Sequence, residues 1–316
     1  MRALLLCLLV VAVPTTATAQ FKKPDNPKGV RLGQQTTGRI KIGVVINAAG
    51  TLQRAVATMP VPDEWPEQQV SIVDEEITPS YAQVDYRKIV GGGGVKLMVV
   101  EIPRLPAGRE ARVLVTFEVT RSTQAAPDDT SVFTIPKRVD RDVRINMGAS
   151  PFIESRHPKL VSAAKEATAD KQTDWEKVEA MYDWAREHVR FADSELKGAA
   201  RALYDGEGGA DELTAVFIAM CRAQKIPART VFVYGHCYAE FYLTDDEGNG
   251  HWFPCQPAGV RAFGAIDDTN PILQKGDNFR NPQDRKERLR FVKEYFTAAG
   301  RGKAPQVRFV SEMVAN

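Results

Sequence analysis

Residues 206–257 constrain the fold more than any other stretch, because they pass from one helix-forming pattern to three strand-forming ones. Gly208 and Gly209 permit a close turn, and Asp211 and Glu212 suit the positive end of a helix dipole. Leu213, Val216, Phe217 and Met220 then recur at helical spacing and predict a buried stripe. Cys221, four residues past Phe217, reads as a packed core thiol. Pro227 closes the helix. Residues 231–234, 238–243 and 251–253 read as strands. The acidic run from Asp245 to Gly250 reads as a solvated turn, since it lacks the twelve-residue ligand spacing of a calcium loop.

Upstream the period is 2. Ile40, Ile42, Val44 and Ile46 alternate with Arg39, Lys41, Gly43 and Val45. Val113, Val115, Phe117 and Val119 alternate with Arg112, Leu114, Thr116 and Glu118. With Val95, Leu97 and Val99 these strands predict an antiparallel β-sandwich over residues 38–121. Gly91–Gly94 reads as a wide hairpin loop; no Gly-Lys-Ser/Thr follows that would make it a phosphate loop. Residues 122–150 read as a connecting segment. Helical spacing takes over at 157–169 and again after Thr173, which with Glu176 forms a capping-box pattern. Trp175, Val178, Tyr182, Ala185 and Val189 make one stripe of that second helix. His188, near its end, suits the helix C-terminus. Residues 284–299 read as a charged helix, with Arg285, Lys286, Arg288 and Arg290 on a solvated face.

The chain has 316 residues and a formal net charge of +2, a balance that points to neither nucleic acid nor a membrane surface. Met1-Arg2, the apolar run from Ala3 to Val13 and Ala17-Thr18-Ala19 have the features of a cleaved signal peptide, residues 1–19. The run is too short to span a bilayer, and no later stretch is expected to. Residues 20–37 read as a flexible lead-in to a mature protein in the periplasm or outside the cell. Cys221, Cys237 and Cys255 remain after cleavage and contain no Cys-x-x-Cys pair, so no structural zinc, and no cofactor, is expected. A Cys237–Cys255 disulfide and separate buried thiols both fit.

Three spaced motifs carry a resemblance. Arg222-Ala223-Gln224-Lys225-Ile226-Pro227-Ala228-Arg229 resembles the Arg-Ala-x-Gly-Ile-Pro-Ala-Arg run of the transglutaminase-like superfamily, with Lys225 where Gly is usual. His236-Cys237-Tyr238-Ala239-Glu240 is similar to its His-x-Trp-x-Glu strand. Trp252-Phe253-Pro254-Cys255-Gln256-Pro257 is similar to its Trp-x-x-x-Asp-Pro strand. The resemblance extends to secreted bacterial members with an N-terminal β-domain. It implies an α+β fold: a papain-like core over residues 151–316, preceded by the β-sandwich.

In that family a Cys at a helix N-terminus is the nucleophile, a His the base, and an acid fixes the imidazole tautomer. Counting back from Arg222 places the nucleophile at Ala210. His236 falls at the base, and Gln256 at the acid. The resemblance therefore implies a thiol scaffold that keeps only His236, a pseudoenzyme that binds a peptide or protein. Two other functions compete. One is an active hydrolase or acyltransferase working from another residue, such as Cys237, Cys255, or Asp211 or Glu212 with His236. The other is a structural envelope module whose β-domain does the work. Strand alternation expects Cys237 and Cys255 to face away from the cleft if His236 and Gln256 face it. Glu240 reads as a strand residue paired with a nearby Arg.

Overall fold

The computed structural model describes residues 28–90, 93–193, 195–284, 286–300 and 302–315. The expected signal peptide and the start of the lead-in lie outside them. So do Gly91 and Gly92 of the glycine run, and Arg285.

The first half is built of strands β1 (Arg31–Asn47), β2 (Leu52–Val61), β3 (Gln68–Thr78), β4 (Gln83–Val90), β5 (Gly93–Leu105) and β6 (Glu110–Ala125). After a short helical turn at residues 141–147 come α1 (Pro158–Thr168), α2 (Asp174–His188), α3 (Ala199–Asp205) and α4 (Ala210–Ala223). Then come β7 (Ala228–Val233), β8 (His236–Thr244), β9 (Gly250–Gln256), β10 (Ile272–Gly276), β11 (Tyr295–Gly300) and β12 (Gln306–Val314). The fold is α+β with mostly antiparallel sheets and an N-terminal β-rich part.

A smaller sheet has the order β12-β1-β6-β3. A larger one starts with the short edge strand Ala262–Phe263 and runs on through β9-β8-β7-β10-β5-β2-β11, with β4 also on β5. Ile40, Ile42, Val44 and Ile46 turn inward from β1 and meet Ala55, Ala57, Met59, Met98 and Val100 of the facing sheet. Burying such side chains stabilises by about 1.5–3 kcal/mol each, which explains why period 2 was readable here. Strand β10 pairs with β7 on one side and β5 on the other, so the two halves share one continuous sheet. The helices pack on the far end of that sheet. Phe217, Tyr182, Trp175, Phe241 and Phe253 lie in their common core.

The Thr173–Glu176 capping box forms: Thr173 Oγ1 accepts from the Glu176 N–H at 3.2 Å, and Glu176 Oε2 accepts from the Thr173 N–H at 2.9 Å. Gly264 has a φ of 70°, and a Cβ there would lie 2.8 Å from the Trp175 ring. The Phe263-Gly264 step thus needs a glycine twice over. Lys225, where the family-like motif usually has Gly, also takes a positive φ of 64°.

Several expectations are corrected. The described residues of 284–299 form no α-helix; Arg288–Leu289 and β11 are strands there. The charges masked a segment whose backbone is satisfied by β2, with Phe296 opposite Ala57. The tail also leaves the helical part: β12 pairs with β1 along its length, so the last strands of the expected 151–316 unit complete the sandwich. The lead-in is a strand from Arg31 onward, where its backbone pairs with β6 at Ala125. Gly93 and Gly94 belong to strand β5, where Val90 sits opposite Gly94, instead of a wide loop.

Candidate functional site

Helix α4 starts where the sequence placed it. Gly209 is the N-cap and Ala210 the first helical residue. Glu212 is buried and accepts from the Gly209 N–H at 3.0 Å and the Lys197 N–H at 2.7 Å. Gly208 lies so close to Glu212 that a Cβ would come within 2.6 Å of the Glu212 Cβ. These contacts fix the helix N-terminus, with the half-buried methyl of Ala210 in its first position.

The other end of the helix is clamped by Arg222. Its guanidinium meets both oxygens of Asp277 at 2.8 Å and also donates to the carbonyls of Ala228 and Gly148 and to Ser150 Oγ. Both side chains are 0% exposed. Burial works to raise the Asp277 pKa, but Arg222 and Ser150 outweigh it and hold the carboxyl below its ordinary value. A second buried array runs beneath β8. Glu240 takes Arg229 Nε at 2.7 Å and Lys275 Nζ at 2.5 Å, and Lys275 also reaches Glu67 at 2.5 Å. The Arg expected beside Glu240 is therefore Arg229, which also lies 4.0 Å over the Trp252 ring.

His236 opens β8. Its side-chain partners are Asp268, with Nε2 to Oδ2 at 3.1 Å, and the Cys237 carbonyl, 3.4 Å from Nδ1. The ring is 31% exposed and the carboxylate 10%. An acceptor at each ring nitrogen suits the imidazolium, which has two N–H donors. The Asp268 contact raises the His236 pKa against the opposing effect of burial. Burial works to raise that of Asp268, and His236 and the Asn270 N–H more than offset it, so the carboxyl falls below its ordinary range. Asp268 Oδ2 has no aligned hydrogen bond and is held to the ring by charge.

Gln256 is not the partner of His236. Strand β9 pairs Cys255 with Ala239, so Gln256 lies level with Tyr238, beyond the recorded pairing. Its own contacts hold the strand end: its carbonyl accepts from Tyr182 Oη at 2.8 Å, and it pairs with Ala262. Sequence reasoning missed Asp268. The only signal was the Asp267-Asp268 pair past Phe263-Gly264, and no fixed spacing links it to His236.

The cysteines are free and buried. Cys255 and Cys221 lie in the helical core. Cys237 was expected to face away from the cleft, and this is corrected: its thiol donates to Asp211 Oδ1 at 3.4 Å, in the first turn of α4, and lies 3.9 Å from Thr214 Oγ1. Alternation along β8 therefore turns Cys237 toward the helix and His236 toward the Asp268 side. The location does not produce a thiolate. Burial pushes the Cys237 thiol up to about 12, against the lowering effect of Arg290. Burial likewise raises Cys221 and Cys255 above the ordinary thiol range.

Asp211 binds Arg290 and Glu212 caps the helix, so neither pairs with His236. Arg290 is not on a solvated face: its side chain is 5% exposed and lies over Phe232. Among the described residues no group of three His, Cys, Asp or Glu is arranged to hold a metal ion, and no helix is long and apolar enough to cross a membrane.

The helix, the Arg222 clamp and the His236 strand are the parts of a transglutaminase-like core. The profile of the transglutaminase-like superfamily matches residues 161–257. Over those residues the chain carries a transglutaminase-like domain. A protein from Cytophaga hutchinsonii, described as a candidate cysteine protease, shares the fold at a TM-score of 0.55 and 16% identity, over 89% of this chain and 92% of that one. The periplasmic domain of TgpA from Pseudomonas aeruginosa aligns over 72% of this chain and 90% of its own, at 16% identity and a TM-score of 0.34. A search of curated proteins finds no match.

Proposed function

We propose that this protein is an exported transglutaminase-like module, secreted or periplasmic, that binds a peptide or protein without thiol catalysis. The observation that carries the reading is Ala210 at the start of α4, in a molecule whose described cysteines are all buried. Acyl transfer through a thioester needs a thiolate that substrate can reach. Ala210 supplies no sulfur, and burial keeps Cys221, Cys237 and Cys255 protonated. What persists is His236, whose partly exposed ring is held by Asp268 and gives a polypeptide ligand a polar group to meet. Export rests on the signal-like residues 1–19.

The test is incubation of the protein with a glutamine-containing acyl-donor peptide and a primary amine, read by mass spectrometry. No product is expected. Turnover that disappears in His236→Ala would overturn the reading. Iodoacetamide offers a parallel check: the native protein stays unlabelled, and the three thiols label only after denaturation.

A further inference from the structure

We infer that the β-sandwich is part of the site, and that Arg121 of β6 is the positioning residue that holds Asp268 against His236. The inference rests on the reading that His236 and Asp268 are the polar pair of the cleft. Asp268 lies between Phe263 and β10, on a segment anchored to the sandwich. Ile266 exchanges backbone hydrogen bonds with Gln124 of β6, at 2.8 and 2.9 Å. Arg121 Nε donates to the Asn270 carbonyl at 3.1 Å, and its Nη2 to the Asp268 carbonyl at 3.2 Å. One planar guanidinium thus grips the backbone on both sides of Thr269.

The grip orients the carboxylate. Asn270 donates its N–H and its side-chain amide to Asp268 Oδ1, each at 2.8 Å. That leaves Oδ2 as the oxygen facing His236. Arg121 is fully buried, so its desolvation has to be offset by these carbonyls and by Glu67, 3.8 Å away. The charged and titratable groups next to the pair are Arg121 from β6 and Tyr238 from β8, and Glu67 and Glu240 act on Tyr238 in turn. The Tyr238 hydroxyl is kept neutral by burial.

The test is an NMR titration of His236 in the full chain, its signal assigned by loss in His236→Gln. Asp268→Asn sets the reference by lowering the midpoint. Arg121→Met is expected to lower it toward that reference, and adding Arg121→Met to Asp268→Asn to lower it no further. Simple removal of a nearby cation has the opposite sign: it favours the imidazolium and raises the midpoint. A folded Arg121→Met whose midpoint rises or stays at the wild-type value therefore overturns the inference. Arg121→Lys decides if Arg121→Met does not fold. It keeps the charge and loses the fork, so a fall supports the positioning role and an unchanged midpoint sinks it. The titration needs no substrate, so it stands apart from the turnover assay of the proposed function.

Discussion

Two cation–carboxylate pairs sit in one protein and do different work. Arg222–Asp277 is sealed, with both carboxylate oxygens on the guanidinium and further acceptors around it. His236–Asp268 is half open: the ring reaches solvent, and one carboxylate oxygen lacks an aligned donor. Saturated partners make the first pair a structural pin, whose loss strands a buried charge. An imidazole that solvent reaches, beside a carboxylate oxygen left unfilled, makes the second a place where a ligand or a proton can act at the ring. How many of a residue's hydrogen-bonding positions are filled separates the two roles better than residue type does.

The comparison breaks most sharply at Asp277→Ala. It leaves Arg222 buried and unpaired and is expected to cost about 3–5 kcal/mol in chemical denaturation. A loss near zero would mean the pin is no pin.

Asp268→Asn is expected to be much milder, within about 1 kcal/mol, because solvent screens an open pair. Its effect depends on pH. The His236 pKa is raised in the fold, so its contribution is present below the ordinary value of 6.5 and fades as pH rises through the folded value. The Asp268 pKa is lowered, so its contribution is present above the ordinary 3.8 and fades as pH falls through the folded value. The stability gap between wild type and Asp268→Asn should therefore peak between about pH 4 and 6.5 and close on the alkaline side. Thermal unfolding across pH measures it, and a gap that widens above pH 8 contradicts the pairing.

Ala210→Cys should change stability by no more than about 0.5 kcal/mol, since the position is half-buried and only a sulfur is added. It should nevertheless create an iodoacetamide-reactive site in the native protein. Absence of labelling would show that the helix N-terminus is closed to reagents. The smallest effect belongs to Gln256→Ala. It should leave the His236 midpoint unchanged in an NMR titration, because the Gln256 carbonyl makes the Tyr182 contact and Asp268 holds the ring. A shift comparable to that of Asp268→Asn would return the orienting role to Gln256.

Much of the site was legible because it is local. Helical spacing, the acidic first turn and Pro227 fixed where α4 begins and ends, and counting back from Arg222 then reached Ala210. The tail was misread for the same reason: Arg288 and Arg290 look like a solvated helix unless β2 and Asp211 are in place to receive their segment.

The amino-acid order by itself determined the period-2 strands and the capped helices. These depend on neighbours a few residues apart, whose contacts hold in any compact arrangement. Tertiary structure alone decided which acid meets His236 and which way Cys237 points. The acid comes from a segment pinned to β6, nearly 150 residues upstream of Asp268, through Arg121. The thiol's direction follows from the pairing of β8 with its neighbours, since one step of register moves a side chain to the other face.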